Sequence, residues 1–425
     1  MKKIGFISFR IAGTDGVSLE IAKWAEVLEK IGHQCFYLAG ELDRPPERCM
    51  EVKSMHFQHK EARDLYQQCF CQEIRPPELT KKLHHWRDIY KKALYEFTEK
   101  FGIDVLVPQN AVTIPLNIPL AMAITEFIAE TNMPTIAHHH DFFWERKRFL
   151  TNCVWDYINS CYPPHLASVQ HVVINSSGQN QLALRTGISS TLIPNVMDFE
   201  NDPPGIDDYN RNIRQDLGIS DDELLILQPT RVVQRKGIEH AIEMVSRLKN
   251  RKAVFVISHA SGDEGFEYEQ RIREYAEMLK VNAIFVDELI KDKRRILPDG
   301  RKVYTLQDLY PHADFVTYPS LIEGFGNAFL ETLWFRKPIM VNNYSIYSTD
   351  IKPKGFEVVE IDDFITNDTI KEVEFLLDHP DEVKRICEKN YDLALKYYSY
   401  ATVDQKLRTI FGNFFGQSAY SNVKK

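Results

Sequence analysis

Glu323 and Glu331 bracket a glycine-bearing stretch, Tyr318-Pro-Ser-Leu-Ile-Glu-Gly-Phe-Gly-Asn-Ala-Phe-Leu-Glu331. A strand ending at Tyr318, a loop holding Gly324, Phe325 and Gly326, and a helix opening at Asn327 would form a place for phosphate. Glycines let backbone N–H groups approach closely, and a helix start carries partial positive charge. A carboxylate cannot help to hold a diphosphate. Glu331, about one turn inside the helix, can accept hydrogen bonds from ribose hydroxyls. Glu323, in the loop, can do so for sugar hydroxyls, or support positive charge at an anomeric carbon. Taken alone, the pair equally fits a helix-start glutamate favouring the dipole and a loop glutamate in solvent.

Four further loops carry suitable residues. In Gln228-Pro-Thr-Arg-Val-Val-Gln-Arg-Lys-Gly237, Arg231 can fork two hydrogen bonds to a phosphate and Lys236 adds a point charge. Arg235 is a third cation of undetermined direction; the bland alternative is a solvated basic loop. Arg10-Ile-Ala-Gly-Thr-Asp-Gly16 follows the first strand but lacks the full G-x-G-x-x-G fingerprint. It could bring a diphosphate or sugar to the backbone near Gly16, or form a plain turn. Ala137-His-His-His-Asp141 ends another strand. There His138 and His140 share a face and His139 points away. Adjacent strand residues rarely converge on one metal ion, so a substrate-contacting histidine fits better. Asn195 and Asp198, in Leu192-Ile-Pro-Asn-Val-Met-Asp198, read as turn formers. Cys69-Phe70-Cys71 is half a metal site without a second pair at zinc-finger spacing.

The elements that must position these loops alternate. Strands are expected at residues 3–9, 34–38, 104–108, 134–138, 172–175 and 191–194, with helices at 16–31, 79–101, 119–130 and 179–186. The alternation restarts after the polar stretch 201–208, which reads as a linker. Strands follow at 224–228, 254–258, 283–286, 315–318 and 339–341, and helices at 238–249, 268–279, 306–309 and 327–335. Repeated strand–helix units imply parallel sheets covered on both faces, hence two doubly wound halves joined near residue 205. Residues 381–414 are helical and aromatic-rich, with Ser399 and Tyr400 interrupting. They form either a helix that bends and packs back on the first half, or one helix on the second.

The whole chain sets limits. Its 425 residues suggest two or three domains, and 44% hydrophobic with 26% charged residues is a globular composition. A net charge of −8 argues against nucleic-acid binding and gives no support to permanent docking on anionic lipid. No stretch approaches the roughly 20 apolar residues of a membrane span. The N-terminal MKKIGFISFR reads as a buried strand, not a signal peptide, because polar residues break its apolar run. Seven scattered cysteines suggest reduced thiols and a cytoplasmic location.

Together, the loops resemble the family 4 glycosyltransferases of GT-B fold in both order and spacing. Glu323–Glu331 looks like the family's E-x7-E motif, and residues 230–237 like its G-R-x-x-x-x-K-G phosphate loop, with Thr230 in place of glycine. Residues 193–198 resemble its I-P-N-G-V-D turn, His140-Asp141 its H-D pair, and Gly13–Gly16 its N-terminal glycine-rich loop. The resemblance implies an α/β protein of two Rossmann-like domains facing across a cleft. Residues 1–200, with a helix at about 400–425, would bind the acceptor, and 208–399 the nucleotide-sugar donor.

It also implies a retaining hexosyltransferase that needs no metal or other cofactor. Its co-substrate would be a UDP-, GDP- or ADP-linked sugar. By carry-over, Arg231 and Lys236 hold the diphosphate, Glu331 the ribose and Glu323 the sugar. His140 contacts that sugar, Gly16 sits beside the phosphates, and Gly324, Phe325, Gly326 and Asn327 line the donor. A small polar acceptor is favoured over a lipid. Ser258-His259-Ala260 departs from the family's glycine-rich turn, residues 291–302 look like an inserted solvated hairpin or a basic flap, and 342–350 lack the usual glycines. A phosphorylase or sugar-nucleotide epimerase of the same fold is an alternative, and a non-catalytic nucleotide-sugar-binding protein is another. Nothing in the sequence assigns an oligomeric state.

Overall fold

The computed structural model describes residues 1–248, 251–259 and 266–416. Short runs of buried apolar residues become strands of two parallel sheets, as expected where both faces are covered. In the first sheet these are β1 (Lys3–Ile7), β2 (Gln34–Ala39), β3 (Cys49–Glu51), β4 (Val105–Pro108), β5 (Thr135–His139), β6 (Val169–Val173) and β7 (Ser190–Leu192). Their order is β3-β2-β1-β4-β5-β6-β7. Central β1 sets Ile4 opposite both Cys35 and Val105. Polar residues at strand ends start the following helices. Asp15 caps Gly16–Lys30, Asn117 caps Ile118–Thr131 and Asn175 caps Ser176–Thr186, each accepting from backbone N–H groups. Strand β3 and the helix Lys60–Phe70 were not apparent from sequence, being short or largely polar.

The second sheet contains β8 (Leu224–Gln228), β9 (Ala253–Ile257), β10 (Asn282–Phe285), β13 (Phe315–Tyr318), β14 (Ile339–Asn342) and β15 (Val359–Ile361); β11 (Arg295–Ile296) and β12 (Lys302–Val303) form a separate antiparallel hairpin. The sheet order is β10-β9-β8-β13-β14-β15. Ile238–Arg247 lays Ile238, Ala241, Ile242 and Val245 into the core, the spacing of a one-faced helix. Lys249, expected in that helix, lies outside the described residues.

The chain divides into Met1–Pro194 with the residues from Tyr400 onward, and Asn195–Ser399. The division thus precedes the stretch 201–208 that reads as a linker. That stretch is built into the second unit: Trp334 Nε1 donates to the Asn201 carbonyl at 2.8 Å, and Asp207 accepts from the N–H groups of Tyr209 and Asn210. The inserted segment is likewise anchored. Arg294 pairs with Asp207 and Asp308, and the Tyr209 hydroxyl donates to the carbonyls of Arg295 and Val303.

The C-terminal segment forms two helices, Pro380–Tyr398 and Tyr400–Phe415, separated by the extended residue Ser399. The second belongs to the first unit, in agreement with the bent reading. Phe411 is fully buried and stacks on His33 at 4.9 Å, and the Tyr400 hydroxyl donates to Glu26 at 3.2 Å. Residues 417–425 of the expected terminal helix lie outside the described part. All seven cysteines are free, and no described helix is long and apolar enough to cross a membrane.

Phe411→Ala should destabilise the first unit by about 3–5 kcal/mol, the usual cost of emptying a buried phenylalanine site. Denaturant unfolding of the full chain checks this; a loss under about 1 kcal/mol would show that this helix does not share the unit's core.

Candidate functional site

In the second unit, the loops after β8 and β13 meet. The β8 loop passes through a single 3-10 turn, Gln234–Lys236, to Gly237 and the helix Ile238–Arg247. Gly237 has φ +59°, and a Cβ there would lie 2.3 Å from the Pro319 carbonyl oxygen. Only glycine fits this approach. A backbone hydrogen bond from Leu321 N to Arg235 O, at 2.8 Å, ties the loops again.

Their side chains complete the junction. Lys236 Nζ hydrogen-bonds to Glu323 Oε1, and Arg235 donates to Glu323 Oε2 at 3.2 Å and to the Ile322 carbonyl at 3.3 Å. The Lys236 and Glu323 side chains are only 11% and 10% exposed. Burial alone would raise the Glu323 carboxyl; the Lys236 and Arg235 charges outweigh it and hold the group below the usual carboxylate range. Burial also lowers the Lys236 ammonium, which Glu323 offsets in part. Arg231 is exposed, and its side chain has no hydrogen bond or ion pair among the described residues. The direction of Arg235, open from sequence, is therefore toward Glu323.

The helix Asn327–Trp334 starts after Gly326, whose φ is +131°. A Cβ on Gly326 would meet the Tyr344 hydroxyl at 2.8 Å and the Tyr318 hydroxyl at 3.2 Å. The Phe325 ring is buried against Tyr398, so only its backbone could face a ligand, and its carbonyl already accepts from Tyr344 at 2.7 Å. Asn327 Oδ1 accepts from Asn195 at 2.9 Å, which connects the 193–198 turn to this helix start. Glu331 is half-buried and accepts from the Tyr310 hydroxyl at 3.2 Å.

Beneath these loops lies a polar set that sequence reasoning missed. Gln228 donates to Thr230 Oγ1 at 2.8 Å and accepts from Thr317 Oγ1 at 2.6 Å. The Ser258 hydroxyl donates to the Gln228 carbonyl at 3.3 Å and contacts His259 Nδ1 at 2.7 Å. Ala260, third residue of that turn, lies outside the described residues.

In the first unit, Gly16 is the first residue of its helix, but Asp15 dominates that end. Asp15 accepts from Val17 N at 3.1 Å and Ser18 N at 3.2 Å, and pairs with Arg10 at 3.2 Å. A phosphate at this helix start would meet a carboxylate already in place. The three histidines have separate roles. His138 is buried and stacks on Trp24 at 4.2 Å; His139 bonds to Thr113 and to His171 at 2.9 Å. His140, half-buried at the end of β5, bonds to Gln109 Oε1 at 2.9 Å. The three rings do not converge on one point. Gln109 and Asn110 follow β4, and reading every strand end, rather than charged loops alone, would have found them.

A pair of doubly wound parallel sheets, a terminal helix returned to the first, and cation- and glycine-bearing loops at strand ends define the class as a glycosyltransferase of GT-B fold. The chain belongs to the group 1 glycosyltransferases. The family profile "Glycosyl transferases group 1" matches residues 210–393. Mannosylglucosylglycerate synthase of Petrotoga mobilis is 34% identical over 384 residues, covering 84% of this chain and 86% of that protein. The Thermotoga maritima protein of the same name is 29% identical, covering 93% and 96%. A solved Rickettsia africae glycosyltransferase has a TM-score of 0.68 at 15% identity, covering 97% of this chain and 98% of its own. Anabaena HepE, solved with UDP-glucose, has a TM-score of 0.64 at 10% identity, covering 97% and 100%.

Glu323→Gln should destabilise the second unit by about 3 kcal/mol, because Lys236 keeps its buried charge without a counter-ion. Glu323 has a depressed pKa, so its contribution is present above the ordinary glutamate value of about 4.3 and is lost as pH falls through the lower folded value. The stability gap between wild type and variant, followed by thermal unfolding, should stay constant near neutrality and shrink only in more acidic solution.

Proposed function

We propose that this chain is a retaining hexosyltransferase of the family 4 kind, acting in the cytoplasm without a metal. It moves a hexose from a nucleotide-diphosphate sugar to a small polar acceptor. The observation that carries this reading is the junction of the β8 and β13 loops. There Arg231, Arg235 and Lys236 gather about Glu323, with Glu331 one turn into the adjoining helix. In the transfer, the bond from the anomeric carbon to phosphate oxygen breaks and its electron pair stays on the diphosphate. The acceptor oxygen forms the new bond, and its proton passes to the departing phosphate. Arg231 and Lys236 stabilise the negative charge that develops, a role a divalent metal could otherwise fill. Glu323, held ionised between two cations, is a poor base; it is better suited to gripping the donor sugar. Glu331 holds the ribose, and His140 contacts a sugar hydroxyl.

The relatives' names support a glycerate-type acceptor. Mannosylglucosylglycerate is a glycerate carrying two hexoses, and a synthase of it joins a hexose to a small polar molecule. We therefore place a glycosylglycerate first among acceptors and a nucleotide-linked mannose first among donors, with UDP-glucose next because HepE was solved with it.

Thermal-shift measurement with UDP-, GDP- and ADP-linked sugars tests the donor. At 100 times its dissociation constant, a ligand adds about 2.7 kcal/mol of stability. Glu331→Ala should reduce that shift and lower turnover. Arg231→Ala should lower kcat by about 10²–10³-fold with the melting temperature unchanged, since the side chain supports nothing in the fold. The anomeric coupling of the product, read by NMR, decides retention; an inverted product overturns it. Phosphate-dependent release of sugar without nucleotide release would instead identify a phosphorylase.

A further inference from the structure

His140 is gripped from the neighbouring strand by two consecutive amides. Gln109 and Asn110 directly follow β4, and His140 directly follows β5. Gln109 is fully buried, and its Oε1 lies 2.9 Å from His140 Nε2. Asn110 adopts a left-handed backbone, φ +56°, a conformation asparagine tolerates better than most residues. Its Oδ1 accepts from the His140 N–H at 2.8 Å, and its Nδ2 donates to Asp141 Oδ1 at 3.0 Å. Asn110 N in turn donates to the His138 carbonyl at 3.1 Å. One amide therefore grips the ring and the other the backbone on either side of the peptide that carries it.

We infer that Gln109 and Asn110 are positioning residues for His140: Gln109 fixes the imidazole as the Nε2–H tautomer, with the Nδ1 lone pair left for substrate, and Asn110 fixes the backbone that aims it. This rests on the reading that His140 contacts the sugar. An amide oxygen facing Nε2 requires a proton there, and a neutral imidazole then carries its lone pair on Nδ1. Nδ1 has no partner among the described residues, so it is available to accept a bond from a sugar hydroxyl. The other groups around the ring do not compete for Nε2. The His138 ring is tilted against His140 at 4.4 Å, Asp141 is taken by Asn110 and Arg146, and Asp15 is taken by Arg10 and the helix start. Burial keeps His140 neutral, down to about pH 4, against the opposing pull of the Asp141 and Asp15 carboxylates.

The test uses the full chain with 15N-labelled histidine. Wild type should show His140 as a single Nε2–H tautomer. Gln109→Leu should mix the tautomers and lower kcat about 10–100-fold, with the donor KM unchanged, because the acceptor atom is misdirected while donor contacts remain. Gln109→Glu keeps the size and adds a carboxylate partner, which raises the His140 pKa. Its kcat/KM should fall as pH falls through a new acidic limb at or above the ordinary imidazole value of about 6.5; wild type should lack that limb. Unchanged tautomer and unchanged turnover in Gln109→Leu would overturn the inference. So would lost turnover with an unchanged tautomer, which indicates a merely structural role. Wild-type turnover by His140→Ala would instead defeat the substrate contact itself, and the tautomer measurement still decides the Gln109 contact.

Discussion

The buried pair of Lys236 and Glu323 is the interaction on which the second unit's site depends. A lysine so far from solvent needs an anion, and a glutamate so placed needs a cation. Each satisfies the other across two loops that sequence separates by more than eighty residues. The pair forms only because Gly237 lets the loops approach until backbone touches backbone. The spacing of the cations is therefore set before any ligand arrives. Arg231, Arg235, Lys236 and Glu323 together carry three positive charges and one negative, leaving two positive. That balance matches the two charges of a diphosphate ester. Charge fixed in place ahead of reaction needs no reorganisation when the leaving group forms, and such terms are usually the largest in catalysis.

Much of this was legible from the sequence because the signals were local. Strand–helix alternation is a matter of period, so both sheets and most of their helices could be placed within a few residues. Glycines and charged residues at strand ends mark themselves, so Arg231, Lys236, Glu323 and Glu331 could be named. What escaped depends on contacts between distant segments. No local pattern distinguishes a linker from a polar stretch stitched down by Trp334 and Arg294, and so the division between units was expected several residues too late. The aim of Arg235 was undetermined for the same reason: its partner lies on another strand's loop. Phe325 looked ligand-facing by its place in the motif, yet its ring belongs to the core.

The amides were overlooked for a different cause. Gln109, Asn110 and Gln228 carry no charge and sit beside apolar runs, where sequence suggests strand termini and nothing more. In both units such a residue ends a strand and fixes what the next loop presents. Asn110 holds the His140 backbone, and Gln228 holds Thr230.

Thr230 shows what this arrangement requires. The family's usual glycine at that place would leave Gln228 Nε2 short of a partner in a site closed to water, a cost of about 1–3 kcal/mol. Here the threonine hydroxyl accepts from Gln228, which in turn accepts from Thr317, so that three fully or nearly fully buried polar side chains satisfy one another. Thr230 directly precedes Arg231, whose side chain makes no contact of its own that would orient it. The direction of that exposed cation is therefore set from below, by a hydrogen-bonded set that the departure from glycine makes possible. The substitution that weakens the motif as a sequence signal is thus accounted for by the packing beneath it.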